Sequence, residues 1–251
     1  MIIGGGINGA AVAAAIGTSK YRVALVDKGD FSSQSSQSSS AFIWGGIKYL
    51  QSGEFALVRQ LCRQRNALMK AYPSLISETR FLLLFNEENW IKRQFVYLAT
   101  WLYWFLGGRK TDKPRLQKNE KISQYEPVIS RKNRFTGVEY SDATLVDGDA
   151  RFVFSLIDKA AKNGSLAINY LTVTGLKFTR HNDGGVWCVS LFDEINQKEI
   201  TINARIVVNA AGSFADNINQ LGGVKTKYRH VFSKGVHLVV KRLSKSGPVL
   251  A

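Results

Sequence analysis

Acidic residues are in short supply in this chain: 19 Asp and Glu stand against 34 Lys and Arg over 251 residues, a formal net charge of +15. A surplus of that size points to polyanions, whether nucleic acid, anionic lipid or phosphorylated small molecules. No nucleic-acid recognition motif accompanies it, so no nucleic acid is expected as a partner. Cysteine is scarcer still. Cys62 and Cys188 lie far apart and in no C-x-x-C or metal-ligand spacing, which argues against a disulfide framework and a metal centre and makes a reduced, cytoplasmic setting the expectation. Long apolar runs are lacking as well. The longest, Phe95 to Leu106, is interrupted by Thr100 and falls short of the roughly 18–20 residues that a spanning helix needs. No basic stretch precedes the apolar residues at the N-terminus, so it does not read as a secretory signal. With 45% hydrophobic residues, 22 glycines and only four prolines, the chain is neither disordered nor collagen-like, and it can bury one large core or two smaller ones.

Met1-Ile2-Ile3 is a short apolar run entering Gly4-Gly5-Gly6-Ile7-Asn8-Gly9, and the alanine-rich Ala10–Ile16 reads as a closely packed helix. Tyr21–Asp27 reads as a buried strand ending in an acid. Together they form a strand–helix–strand unit, the smallest device of a parallel sheet. Residues 31–40, FSSQSSQSSS, have the composition of a linker. Helices are expected over Glu54–Lys70, with Phe55, Val58, Leu61, Cys62, Leu68 and Met69 on one face, over Trp90–Leu106 ahead of Gly107-Gly108, over Asp149–Lys162 and over Ser213–Leu221. Strands are expected at Phe81–Phe85, Ala167–Tyr170, Val173–Phe178, Val186–Phe192, Glu199–Ile202, Ile206–Asn209 and Val236–Val240, with a hairpin turn at Asp183-Gly184-Gly185. Arg109–Lys121 reads as a surface excursion. No internal repeat is evident.

Gly4-x-Gly6-x-x-Gly9 between a strand and a helix is the first chemical motif. Such a turn sets a helix N-terminus, with its free N–H groups and positive dipole end, against a pyrophosphate. The glycines serve the tight turn, the backbone approach to phosphate, and close helix–strand packing. Asp27, eighteen residues after Gly9, is placed to accept hydrogen bonds from a ribose diol. A purely structural glycine turn is the competing reading. Ile206–Gly212 is the second motif: an apolar strand ending in small residues, Asn209-Ala210-Ala211-Gly212, lets the chain return close to a dinucleotide. By itself it reads as a core strand with a glycine stop, and the first motif turns the reading toward the dinucleotide.

Several blocks in order carry a resemblance. GGGINGA at Gly4–Ala10, GGIKYL at Gly45–Leu50, EFALVR at Glu54–Arg59, YSD at Tyr140–Asp142, DAR at Asp149–Arg151, VVNAAG at Val207–Gly212 and KGVHLVV at Lys234–Val240 resemble the FAD-dependent, aerobic-type glycerol-3-phosphate dehydrogenases, within the D-amino-acid-oxidase-like flavoproteins. The resemblance implies an α/β chain: a Rossmann-like FAD-binding domain with a parallel sheet, over residues 1–80 and 145–221, plus part of an α+β substrate and membrane-facing domain with a mixed or antiparallel sheet, over 81–144 and 222–251. It implies FAD held by Gly4, Gly6, Ile7, Asn8, Gly9, Asp27, Lys28, Ser35, Ser36, Ser39, Ser40, Gly45, Gly46, Val173, Ala210 and Gly212. The serine stretch then wraps the diphosphate, with hydroxyls suited to an anion; a mobile linker is the alternative. Val173 falls where adenine is contacted through the backbone.

The family's reaction is oxidation of glycerol 3-phosphate to dihydroxyacetone phosphate by hydride transfer to flavin, with electrons passed to a quinone. His237 falls on the substrate side, where it would bind phosphate or handle a proton; a structural strand histidine is the other reading. His181 and His230 have no such support. The chain departs from the family pattern at Ala41 and Trp44, where lysine and histidine are usual, and at Gly212-Ser213-Phe214 in place of G-P-W. Two residues are also inserted between Tyr140 and Arg151. These departures make another hydroxy acid or an amine the alternative substrate, and an inactive FAD-binding remnant the alternative role. The family is about twice this length, so the chain reads as its N-terminal half. Trp90, Tyr97, Trp101, Tyr103, Trp104 and Phe105, flanked by Lys92-Arg93 and Arg109-Lys110, suit an anionic membrane surface through Trp90–Leu106 and hence a peripheral location. A helix packed in the core is the competing reading. A homodimer is a further expectation.

Overall fold

A computed structural model describes residues 1–17, 21–125, 135–181, 184–233, 235, 236, 238, 241 and 248–250. In chain order its elements are β1 (Ile2–Ile3), α1 (Ile7–Ile16), β2 (Ala24–Val26), β3 (Phe42–Ile43), α2 (Phe55–Ala71), β4 (Ile76–Asn86), α3 (Trp90–Leu106), β5 (Arg115–Gln117), α4 (Asn119–Tyr125) and β6 (Phe135–Leu145). Then come α5 (Gly148–Lys162), β7 (Leu166–Ile168), β8 (Leu171–His181), β9 (Gly184–Asp193), β10 (Lys198–Ala204), β11 (Val208–Asn209), α6 (Ala215–Leu221) and β12 (Val249–Leu250). They fall into two compact units, each discontinuous in sequence: Met1–Ser40 with Asp147–His237, and Ala41–Val146 with Leu238–Ala251.

In the first unit four short strands form a parallel sheet in the order β11-β1-β2-β7. Its strands are near-continuous apolar runs, as in a sheet covered on both faces. Ile2, Leu25 and Val26 are fully buried. α1 packs against α5, and it can approach closely because Ala10 and Ala13, both wholly buried, carry only a methyl group. A three-stranded antiparallel sheet, β10-β9-β8, belongs to the same unit. Val173, Val189 and Leu191 from it meet Ile3 and Val26 in one core. The hairpin between β8 and β9 closes with His181 opposite Gly184.

In the second unit β4 and β6 pair antiparallel along their whole length, from Ile76 opposite Leu145 to Asn86 opposite Phe135. With β3, β5 and the parallel strand β12 they make a mixed sheet. α2 and α3 pack on it. Val58 and Cys62 from α2, Tyr103 from α3, and Phe81 and Tyr140 from the sheet form the buried cluster.

The α/β class, with one parallel and one mixed sheet, is thus what the sequence implies, and α3 has the expected bounds. The changeover between units falls at Ala41 rather than at residue 81, because β3 pairs with β6 and draws 41–80 into the second unit. The stretch 222–237 lies in the first. The surface excursion at 109–121 contains β5. β6, unforeseen as a strand, is a central one: its polar residues Glu139, Ser141 and Asp142 are buried and partnered, which hides its pattern. The strand expected at Val236–Val240 lies largely outside the described residues.

Candidate cofactor site

In the first unit β1 runs straight into the glycine turn. Gly4 has φ +105, a conformation that side chains disfavour, and a Cβ there would stand 2.5 Å from the Ala210 carbonyl oxygen. Its N–H donates to the Val26 carbonyl at 2.8 Å. A Cβ on Gly9 would overlap the Gly4 carbonyl, so this glycine sets how closely α1 lies on β1. Gly6 differs. It caps α1 in an ordinary extended conformation, and a Cβ would meet only the Ser36 hydroxyl, at 3.0 Å. Gly212, with φ +55, has open space on its Cβ side. Gly4 and Gly9 are therefore required by close packing and Gly212 by its torsion, whereas at Gly6 neither packing nor torsion demands a glycine.

The first turn of α1 follows directly on Gly6. The Ile7 N–H donates to Ser36 Oγ at 3.0 Å and the Ala10 N–H to the Gly6 carbonyl at 3.0 Å. The N–H groups of Asn8 and Gly9 are first-turn donors, for which a helix offers no acceptor of its own. Two backbone donors at the positive end of a ten-residue helix, beside glycines without side-chain bulk, fit the diphosphate of a dinucleotide.

Around this turn several side chains brace the loop. Asp27 accepts from the Gly5 N–H through Oδ2 at 2.6 Å and from the Gly29 N–H through Oδ1 at 3.0 Å. It locks the turn, and each oxygen retains a lone pair for a further donor. Lys28 places its ammonium 3.5 Å above the Phe214 ring centre. Ser39 Oγ donates to the Asp149 carboxylate, 2.8 Å from either oxygen, tying the serine stretch to the start of α5. Ser35 and Ser40 are exposed. The serine stretch is thus folded back on the glycine turn, where the Ser32 N–H also reaches the Gly5 carbonyl at 3.1 Å. Asn209, unremarked from sequence, accepts from the Ala211 N–H and donates to the Ala215 carbonyl and Asn219 Oδ1, fixing the Ala210–Gly212 turn. Val173 buries its side chain in the core and stands beside a β-bulge in β8.

Gly45 and Gly46 lie in the second unit, around a centre that sequence reasoning missed. Arg65 and Asp142, 2% and 0% exposed, form an ion pair of 2.5 Å. Asp142 Oδ1 also accepts from the Tyr103 hydroxyl at 2.6 Å and from the Gly45 N–H at 2.9 Å. A Cβ on Gly45 would strike Tyr103 and Cys62. Burial pushes the Asp142 carboxyl up from the usual carboxylate range, while Arg65, Tyr103 and the Gly45 N–H pull the other way. Burial and the neighbouring carboxylate push the Tyr103 phenol far up, so it stays a donor. The signal was in α2: its buried residues are Val58, Cys62 and Arg65, an i, i+4, i+7 face that includes an arginine, while Phe55 is exposed. Ala41 adopts φ +58. Trp44 packs at 5.2 Å from Phe81. His237 lies outside the described residues. Among the described residues no group of His, Cys, Asp and Glu is arranged to hold a metal.

A glycine turn at the centre of a parallel sheet, with open donors at the helix start and a second small-residue turn beside it, defines an α/β protein of the dinucleotide-binding class. The chain belongs to the FAD dependent oxidoreductase (DAO) family, whose pattern it matches over residues 1–250; the family's cofactor is FAD. It is 32% identical over 246 residues to D-erythritol 1-phosphate dehydrogenase of Brucella abortus, covering 96% of this chain and 47% of that protein. It is 32% identical over 244 residues to glycerol-3-phosphate dehydrogenase 2 of Mycobacterium bovis, covering 96% of this chain and 41% of that one. The chain thus spans under half the length of these relatives. Among solved structures, glycerol-3-phosphate dehydrogenase from Bacillus halodurans complexed with FAD matches the fold with a TM-score of 0.60 at 23% identity, over 88% of this chain and 35% of that one. L-alpha-glycerophosphate oxidase from Mycoplasma pneumoniae does so with 0.65 at 18%, over 88% and 56%.

Proposed function

We propose that this chain is the flavin-holding part of a dehydrogenase that oxidises a phosphorylated polyol. The observation that carries the reading is the glycine turn with its first-turn main-chain donors at the start of α1. Gly6 carries no side chain there, and the Asn8 and Gly9 N–H groups would hold the diphosphate of FAD. Asp27 would hold a ribose hydroxyl with its remaining lone pairs, and Ser36 keeps the loop folded over the helix start. When bound, FAD supplies the two-electron oxidation of the alcohol carbon. The residues of the chain bind and orient the cofactor and exclude bulk from its phosphates.

Glycerol 3-phosphate is the substrate this reading assigns first, and a longer polyol phosphate such as D-erythritol 1-phosphate the second, since proteins acting on either are similar to this chain at the same identity. The excess of basic residues suits a phosphate ester. His237 is assigned the substrate phosphate or the hydroxyl proton, and a quinone the role of electron acceptor. Cys62 and Cys188 are unpaired, in keeping with the cytoplasmic location we assign. Ala41 and Trp44 favour a second reading, in which the substrate is another hydroxy acid or an amine.

The test is anaerobic mixing of the flavin-loaded protein with glycerol 3-phosphate, D-erythritol 1-phosphate, unphosphorylated glycerol, and a panel of hydroxy acids and amines. Loss of flavin absorbance with the two phosphate esters alone is the expected result. Retained flavin that no phosphorylated polyol reduces overturns the substrate assignment, and a chain that takes up no flavin overturns the cofactor site.

A further inference from the structure

Lys28 and Phe214 meet although the strands they follow are not neighbours. Val26 of β2 and Asn209 of β11 both stand opposite Ile3, one on each side of β1. Neighbouring strands lie about 4.8 Å apart, so roughly 9.6 Å separates the two outer ones. Lys28 is two residues past Val26, and Phe214 five past Asn209. The Lys28 ammonium nevertheless comes within 3.5 Å of the centre of the Phe214 ring. The contact therefore passes beyond the carboxyl end of β1, where the glycine turn leads into α1. All of it belongs to the first unit.

Two features set the pair apart from a chance surface contact. Lys28 has no carboxylate at ion-pair distance among the described residues. The acids nearest to it in sequence are engaged elsewhere: Asp27 accepts from the Gly5 and Gly29 N–H groups, and Asp30 from the Tyr170 hydroxyl. A ring face attracts an ammonium without neutralising it, and the donors not directed at the ring stay free for an acceptor. The ring is itself anchored. The Phe214 N–H donates to the Ala211 carbonyl at 2.9 Å, and Asn209 ties down Ala211 and Ala215 on either side of it. Ligands of open parallel sheets lie beyond the carboxyl ends of the strands, and the start of α1 there already favours negative charge. Lys28 is among the residues that the family resemblance assigns to FAD. Phe214 is not, and it stands where the family carries tryptophan.

We infer that Phe214 is a positioning residue: it holds the Lys28 ammonium across the end of β1, where the ammonium pairs with a phosphate of the dinucleotide. The inference rests on the flavin reading and deepens it. Asp27 serves the ribose, the main chain of α1 serves the diphosphate, and Lys28 adds the full charge that main-chain donors lack. A free lysine stem would lose its rotamer entropy on meeting the phosphate. Held on the ring, it has lost most of that entropy before the cofactor arrives, and the contact is correspondingly tighter.

Titration of the flavin-free chain with FAD at several salt concentrations tests it, with the dissociation constant and its salt dependence as the readouts. Lys28→Met should weaken binding about tenfold and flatten the salt dependence, since a charged phosphate contact is lost. Phe214→Leu keeps bulk but no ring face and should weaken binding about fivefold, whereas Phe214→Trp should keep it within about twofold. Added to Lys28→Met, Phe214→Leu should weaken binding no further, because the ring acts only through the ammonium. Without flavin, the ring current should move the Lys28 ε-methylene proton resonances upfield, and Phe214→Leu should abolish that shift. Lys28 is exposed, so Lys28→Met should fold normally, and it can overturn the inference even if Phe214→Leu fails to fold. FAD affinity and salt dependence indifferent to Lys28→Met overturn it. So does an equal loss from Phe214→Leu with and without Lys28, which would make the ring a packing residue. An unaltered chain that takes up no FAD overturns the flavin reading and this inference with it.

Discussion

The glycine turn of the first unit and the arginine–aspartate centre of the second solve opposite problems with the same kinds of group. Around α1 the polar groups are main-chain N–H groups at a helix start, and the side chains that contact them, Asp27 and Ser36, hold the loop in shape. Around Asp142 the donors converge from α2, α3 and the Gly45 turn on a single oxygen, with no room for a Cβ at Gly45. One region keeps its donors for something from outside; the other uses them to fix its own backbone. Main-chain donors without a helix acceptor are tolerated at the exposed end of an inner strand because water serves them until a ligand arrives. A buried carboxylate has no such recourse, and it persists only where partners are supplied from within.

The largest effect should come from breaking the closed centre. Asp142→Ala strands the Arg65 guanidinium in a dry site, and a loss of about 3–5 kcal/mol is expected in denaturant unfolding; a loss under 1 kcal/mol would mean the pair is not structural. Gly4→Ala should follow. It places a side chain at φ +105 and against the Ala210 carbonyl, at a cost of about 1–3 kcal/mol in backbone strain alone, and the purified protein should retain no flavin.

Gly6→Ala is the sharpest probe of the contrast. A Cβ there touches only the Ser36 hydroxyl, so thermal stability should move by less than about 1 kcal/mol. Flavin affinity should nevertheless fall at least roughly tenfold, because the added methyl group occupies the space the diphosphate needs. Equal losses of stability and affinity would make Gly6 a packing residue like Gly9. Ser36→Ala removes the acceptor for the Ile7 N–H, and about 1 kcal/mol of stability should go with it in the same melts.

The smallest effect concerns Asp216, whose carboxyl is held below the usual carboxylate range, first by the His230 N–H and then by the His230 ring. A depressed folded-state value means that the stabilisation is present above the ordinary aspartate range and is lost as pH falls through the depressed value. The protection of the His230 amide, its exchange rate relative to the intrinsic rate of an unstructured amide at the same pH, should fall in that acid window.

Much of the first unit was legible in sequence because its signals are local. The torsion at Gly4, the close approach at Gly9 and the alanines of α1 need only neighbours within one strand–turn–helix unit, and the family blocks coincide with them. The bounds of α3 were equally plain, since a helix of aromatic and aliphatic residues stopped by two glycines needs no tertiary help. What the side chains of the serine stretch do was not legible. Ser36 serves the α1 start across 29 residues and Ser39 reaches Asp149 across 110, so composition alone reads as a linker.

By itself, then, the sequence determined the dinucleotide turn, the helix periodicities and the family, because backbone torsion and i, i+4 spacing are written in adjacent residues. The tertiary structure alone decided that Arg65 and Asp142, 77 positions apart, would meet in a dry centre. It also decided that β6 would be a buried strand despite its polar residues, and that one face of α3 would be left uncovered within its unit. Those outcomes depend on which surfaces dock, and the worth of a charge or an apolar stripe is set by what surrounds it once water has been excluded.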